Sequence, residues 1–264
     1  MDKSSIIGII LGLAAVGMGM VFKGVSPLVL VNPAALLIIL LGTIAAITIA
    51  FPSSELKKLP KLFGIIFKEQ DISTPQEVIR QFSTWADLAR KEGLLALEAE
   101  IDEVDDPFLR NGLSLAVDGQ NADYIRDVMN EELEAMEERH KTGASIFSQA
   151  GTYAPTLGVL GAVVGLIAAL GDMSNTEALG KAVSAAFVAT LLGIFTGYVL
   201  WHPFANKLKR KSTTEVRVKE MMIEGVLSIL EGESPRILEQ KLSSYLPAEE
   251  KRQLLQQESG ELNG

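Results

Sequence analysis

Residues 142–171 read TGASIFSQAGTYAPTLGVLGAVVGLIAALG, thirty consecutive positions without an Asp, Glu, Lys or Arg. As helix, that stretch is longer than the roughly 20 residues that cross a bilayer. The 21 residues before it, 121–141, carry ten charges, so a charged helix starting at Asn121 is predicted to run directly into the apolar one. Three further windows are equally free of charge, at residues 4–22, 24–54 and 182–206. The 33 acidic and 24 basic residues of the 264-residue chain all lie outside these four windows. A single water-soluble globule is not segregated in this way, nor is a disordered or disulfide-stapled chain. The pattern predicts an all-α integral membrane protein with four transmembrane helices.

The chain has no cysteine and two histidines, His140 and His202. Thiol chemistry and a disulfide framework are excluded, and a multi-histidine metal site within one chain is disfavoured. No cofactor is expected.

Window 4–22 reads as a retained first span: it is longer than a signal-peptide core and a second apolar window follows almost at once. Within 24–54, Asn32-Pro33 has the form of an N-cap followed by a proline at the first helical position, placing the second span at 33–51. Lys57, Lys58 and Lys61 follow the second window, and Lys207, Lys209, Arg210 and Lys211 follow the fourth. The two opposite connections hold only Lys23 and Lys181. The positive-inside bias therefore predicts cytoplasmic N- and C-termini and a cytoplasmic middle segment. The organisation expected is spans 1 and 2 in residues 1–54, a cytoplasmic helical domain in 55–141, spans 3 and 4 in 142–206, and C-terminal helices and tail in 207–264.

The middle segment carries 20 acids against 11 bases, which disfavours nucleic acid as a partner. Leu56, Leu59, Leu62, Phe63, Ile66 and Phe67 form an apolar stripe opposite lysines, as in a helix lying on the inner membrane surface. Thr74-Pro75 opens a helix with Val78, Ile79, Phe82, Trp85 and Leu88 at helical spacing, closed by Gly93. A short helix over 94–103, a break at Asp105-Asp106-Pro107 and a helix over 108–117 follow. Beyond the fourth span a basic helix is expected to break at Glu231-Gly232 and restart at Ser234-Pro235, with a frayed tail over 258–264.

No span contains an ionisable carboxylate, lysine or arginine, the groups that usually mark an ion path. Small residues stand in their place: Gly8 and Gly12, then Gly158, Gly161, Ala162 and Gly165, then Ala185, Ala189, Gly193 and Gly197. Such stripes allow close helix approach, either inside one subunit or around a foreign helix. Pro155 and Pro203 each remove an amide donor and free a carbonyl, on Gly151 and Val199, so each marks either a fixed kink or a hinge. Thr152, Thr156, Ser184, Thr190 and Thr196 are expected to bond their own helix carbonyls. His202 reads first as an interfacial side chain and second as a proton relay.

Leu88-Ala89-Arg90-Lys91-Glu92-Gly93-Leu94-Leu95-Ala96-Leu97-Glu98 resembles the cytoplasmic-loop signature of the MotA family of flagellar stator proteins. Tyr153-Ala154-Pro155-Thr156-Leu157-Gly158 through Gly165-Leu166 resembles that family's third span. Thr190-Leu191-Leu192-Gly193 and His202-Pro203 resemble its fourth. The likeness extends to about Leu246.

It implies a subunit of the bacterial cytoplasmic membrane that forms a pentameric homo-oligomeric ring around MotB. MotB would supply the ion-binding aspartate this chain lacks, and the loop would pass torque to FliG of the rotor. By the same resemblance Arg90 and Glu98 fall on rotor-contacting charges. Pro155 and Pro203 fall on functionally important span prolines, and Thr190 on a position near the ion route. Ala162 stands where sodium-driven relatives carry a threonine, which removes an oxygen ligand for a hard cation and implies proton coupling.

The competing expectations are a TolQ/ExbB-like energising subunit, against which the extra N-terminal span argues, and a structural membrane scaffold. An enzyme is the least expected, because no nucleophile–base or metal constellation is present.

Overall fold

Caps and prolines set the helix boundaries. The structure, a computed structural model, describes residues 2–70, 72–171 and 175–252; the expected tail over 258–264 lies outside them. Helix α1 (Lys3–Phe22) starts on Asp2, whose side chain accepts from the Ser4 amide. A 3-10 turn (Pro27–Leu30) leads to α2 (Pro33–Ala50), where the Asn32 side chain accepts from the Ala35 amide and Pro33 fills the first position. Next come α3 (Ser53–Leu56), α4 (Leu59–Phe67) and α5 (Pro75–Glu92). In α5, Thr74 and Glu77 form a reciprocal capping box.

A 3-10 turn (Leu94–Leu97), α6 (Glu98–Ile101) and α7 (Pro107–Val117) precede α8 (Ala122–Leu170). The charged and apolar parts of α8 are one 49-residue helix, as the sequence predicts. Then α9 (Thr176–Phe195), a π-helical turn (Thr196–Trp201) and α10 (His202–Leu230) run on without interruption. Gly232, at φ 72, ends that run before α11 (Pro235–Leu242) and a closing 3-10 turn (Ser243–Tyr245). Four helices are long and apolar enough to cross a membrane, and no strand occurs among the described residues.

The chain forms two compact units, residues 1–70 with 139–211 and residues 71–138 with 212–264. In the first, α4 differs from expectation. Its stripe is not left for lipid: Phe63 stands edge-on to Phe147 at 5.1 Å and Phe67 edge-on to Phe204 at 5.7 Å. Leu62 lies over Gly143, and Ile66 is fully buried against Ala144 and Ala205. Those contacts half-bury the two rings, while Pro60 and Lys61 of α4 are exposed.

The N-terminus is tied into the same unit. Asp2 donates its amide to the Phe67 carbonyl, and its carboxylate receives Lys207 Nζ at 2.6 Å. Lys207 also donates to the Ser4 and Ser5 hydroxyls, and Lys211 donates to the Ile65 and Lys68 carbonyls. The bond from Lys207 holds the Asp2 carboxyl down at about 2, against an ordinary 3.8, with the Ser4 contacts helping. Because the folded value lies below the unfolded one, this contribution to stability is complete above pH 3.8 and lost as pH falls toward 2. An Asp2→Asn variant should therefore melt below the unsubstituted protein at pH 5 to 7. The gap should close in melts taken near pH 2; a gap that persists there assigns it to something other than ionisation.

The second unit buries an apolar core despite its charge. Phe82 and Trp85 of α5 pack edge-on at 5.3 Å, among Leu113 of α7, Met129 of α8, Leu227 of α10 and Leu238 of α11. Lys219 is almost fully buried here and pairs with Asp106 Oδ2 at 2.8 Å, its ammonium lying 4.6 Å from the Phe108 ring centre. Asp106 also caps α7 through the Phe108 amide. The expected helix over 94–103 is shorter and in two pieces, because the backbone needs a 3-10 turn to bury Leu97 before α6 begins.

Candidate functional site

The small residues of α8 and of the α9–π segment meet backbone to backbone. A Cβ placed on Gly158 would lie 2.8 Å from the Ala189 carbonyl oxygen and 2.9 Å from Gly193 Cα. One placed on Gly193 would lie 2.8 Å from both the Ala154 oxygen and Gly158 Cα. On the α1 side, Gly12 faces Val199, and Gly42 of α2 faces Leu157. The stripes thus serve packing within one subunit at Gly158, Gly193, Gly197 and Gly12, whereas Gly8 and Gly165 have open space beside them.

Pro155 sits inside α8 without ending it. Its ring rests on Gly197, where an added Cβ would meet Pro155 Cγ at 2.7 Å and the Gly151 oxygen at 2.8 Å. The carbonyl that Pro155 deprives of its amide is therefore covered by Gly197 rather than presented to a cavity. Gly151 in turn lies against the His202 ring, which also contacts Tyr198 at 5.2 Å between centres. The His202 ring thus packs on α8.

The fourth span carries the feature that sequence reasoning missed. The turn from Thr196 to Trp201 is π-helical and ends just before Pro203. Pro203 cannot donate to the preceding turn, and the widened turn accommodates that loss at the position where the sequence left a kink and a hinge open. Gly197, which lies against the Pro155 ring, belongs to that turn. A glycine six residues before a proline in an apolar helix was the available signal.

Hydroxyls in the spans are used locally. Thr152 donates to the Ser148 carbonyl, Thr156 to Tyr153, Thr190 to Ala186, and Thr196 to Leu192 and Gly193. Ala162 is buried at 9% exposure, one residue past Gly161, whose Cβ position is 3.6 Å from the Ala189 side chain. Thr190 follows Ala189 and is half-buried. Pro155, Ala162 and Thr190 thus belong to the α8–α9 contact zone, and Pro203 lies at its far end, exposed.

Arg90 and Glu98 lie on the second unit and flank one corner. Gly93, at φ 89 and ψ 164, stops α5 in a conformation open to glycine alone. Leu97, fully buried, anchors the 3-10 turn that follows. Trp85 Nε1 donates to Glu100 at 3.1 Å, fixing α6 against α5. Arg90 and Glu98 are both exposed, and neither makes an ion pair or hydrogen bond with a described residue. Leu95, 71% exposed, stands between them in the chain.

Residues 100–221 match the model of the MotA/TolQ/ExbB proton channel family. The chain is 66% identical over 257 residues to Motility protein A of Bacillus subtilis, covering 97% of this chain and 95% of that one. It superposes with a TM-score of 0.92 and 67% identity on a chain of the flagellar MotAB stator complex from Bacillus subtilis, over 96% of this chain and 99% of that one. It superposes with a TM-score of 0.90 and 33% identity on a chain of MotAB from C. jejuni, over 94% and 97%.

Proposed function

The chain belongs to the MotA/TolQ/ExbB proton channel family, and from that premise we propose that it is a stator subunit of the bacterial flagellar motor. It forms an ion channel with MotB in the cell membrane and turns ion flow into torque on the rotor. The observation that carries this reading is likeness to a stator-complex chain over 96% of the length. The charge-free spans agree with it, since a partner helix must supply the ion-binding carboxylate. The role is that of a channel and motor subunit, not of an enzyme.

The finer assignments rest on the motif residues. Five copies surround the MotB helices, with the N- and C-termini and residues 71–138 on the cytoplasmic side, where the lysines after the second and fourth spans stand. Arg90 and Glu98 meet FliG. Pro155, with its ring on Gly197, and Pro203, after the π turn, shape the face that answers the ion, and Ala162 and Thr190 lie beside its route. Each unit charge falling through 100 mV releases about 2.3 kcal/mol, enough to exchange one or two packing or hydrogen-bond contacts per step.

Deleting the gene in a strain cleared of any second stator should abolish swimming, and a plasmid copy should restore it. Unchanged swimming in that strain overturns the assignment. With Ala162 in place of a hydroxyl, the coupling ion is the proton. Motility through this stator should stop on addition of a protonophore and ignore external sodium. Swimming that follows sodium and survives the protonophore in sodium buffer would reverse that assignment.

A further inference from the structure

Helix α4 turns its two faces to different surroundings. Leu62, Phe63 and Ile66 pack on α8 and α10, where Phe147 and Phe204 lie near the ends of the charge-free windows 142–171 and 182–206. The helix is thereby held beside the spans at the depth where apolar sequence gives way to charge, which in a bilayer is the headgroup layer. The opposite face is basic. Residues three and four apart share a helix face, so Lys61, Gly64 and Lys68 form one line, with the Lys68 amide donating to the Gly64 carbonyl. A Cβ on Gly64 would meet nothing within 4 Å, which leaves the backbone between the two lysines open to close approach.

Lys57, Lys58, Lys61 and Lys68 are all exposed, and none has an ion pair or a side-chain hydrogen bond among the described residues. Lys57 and Lys58 stand at the N-terminal end of α4, where the helix dipole disfavours cations. Unpaired charges there work against the helix, and an anion beside them removes the conflict. We propose that Lys61, Gly64 and Lys68 seat the phosphate of an anionic phospholipid in the leaflet beside α4, with Lys57 and Lys58 extending the basic surface. The depth set by Phe147 and Phe204 selects a lipid over a soluble anion. Four cations without carboxylate partners select an anionic lipid over a zwitterionic one. A neighbouring copy laid over the stripe would instead shut lipid out.

The chain has no cysteine, and Pro60 is exposed four positions before Gly64, so Pro60→Cys places a neutral fluorescent donor beside the seat without filling it. The full chain so labelled is reconstituted in phosphatidylcholine vesicles at about 0.1 M salt, where the Debye length is about 10 Å. Trace phosphatidylglycerol or phosphatidylcholine is added at equal mole fraction, each with the same acyl-chain acceptor. Energy transfer should report phosphatidylglycerol enriched about fivefold over phosphatidylcholine, the preference that one lysine near the surface contributes. The excess should vanish at about 1 M salt, where the Debye length is about 3 Å. Lys61→Gln combined with Lys68→Gln should lower it below about twofold. Gly64→Leu, which keeps all four lysines, should lower it as well. Equal transfer to both lipids at low salt overturns the proposal, as does an excess that ignores salt or survives either variant. Weak transfer to both lipids means that a neighbouring copy covers the stripe, and it overturns the proposal too. Spin-labelled lipids give the same comparison on the unsubstituted chain: phosphatidylglycerol should be immobilised in preference to phosphatidylcholine, and equal immobilisation overturns the proposal. None of these readouts involves motility, so their failure leaves the stator assignment standing.

Discussion

Reversing the charge at Arg90 or at Glu98 should abolish or severely weaken swimming while leaving the protein at normal abundance in the membrane. Both side chains are exposed and have no partner among the described residues, so substitution removes no buried contact there and should change stability by no more than about 0.5 kcal/mol. What they have is a fixed place. Gly93 turns the chain where only glycine can, Leu97 is locked into the core, and Glu100 receives the Trp85 indole. The two charges are thus presented on a rigid corner, which is what recognition of a moving charged partner needs. Arg90→Glu and Glu98→Lys should each act, and compensating reversals on the rotor protein should restore movement in part. Normal swimming by both variants would return the two residues to an ordinary solvated surface, where an ion pair is worth about 0–1 kcal/mol.

Gly158→Ala and Gly193→Ala should remove most of the protein from the membrane, and swimming with it. The new methyl group at either position would lie 2.8–2.9 Å from backbone atoms of the opposing helix, and backbone, unlike a side chain, has no rotamer to yield. Relief requires the helices to part along their length, losing neighbouring contacts as well. A cost of about 3 kcal/mol, the upper part of the overpacking range, is expected. Gly165→Ala and Gly8→Ala make the same chemical change with nothing within 4 Å, and both variants should accumulate normally. Abundance measured by immunoblot of membranes separates the two classes. Normal accumulation of Gly158→Ala would mean that the two helices stand farther apart in the assembled ring than in the single chain.

The sequence left open whether the small-residue stripes pack within one subunit or around a foreign helix, and the glycines fall into covered and uncovered positions. Gly158 and Gly193 are spent on each other, while Gly165 and Gly8 have nothing within 4 Å. Sequence spacing placed all of them correctly on helix faces but could not rank them, since it says which residues share a face and not what lies opposite. The same limit applies to α4, whose stripe read as a lipid-facing surface and is covered by Phe147 and Phe204. Lys219 illustrates it from the polar side. Nothing local distinguishes it from the other lysines of α10, and its burial follows from Asp106 arriving more than a hundred positions earlier in the chain.

The family and its stator role were legible in two stretches, 88–98 and 153–166. Those stretches combine residues with separate structural duties: a helix, a glycine-only stop, a buried leucine, a proline held on a glycine. Such combinations do not arise from composition.

Four spans, their caps, the run from a charged into an apolar helix and the stop at Gly232 follow from the sequence by itself. Each depends on hydropathy or backbone propensity over a few turns, which are nearly additive along the chain. The tertiary structure alone decided that Gly197 supports Pro155, that the turn before Pro203 is π-helical, that Gly158 and Gly193 touch, and that the buried Trp201 indole N–H meets no acceptor among the described residues. Those outcomes are set by steric and hydrogen-bond complementarity between distant segments, and a difference of one methyl group or one missing acceptor determines them.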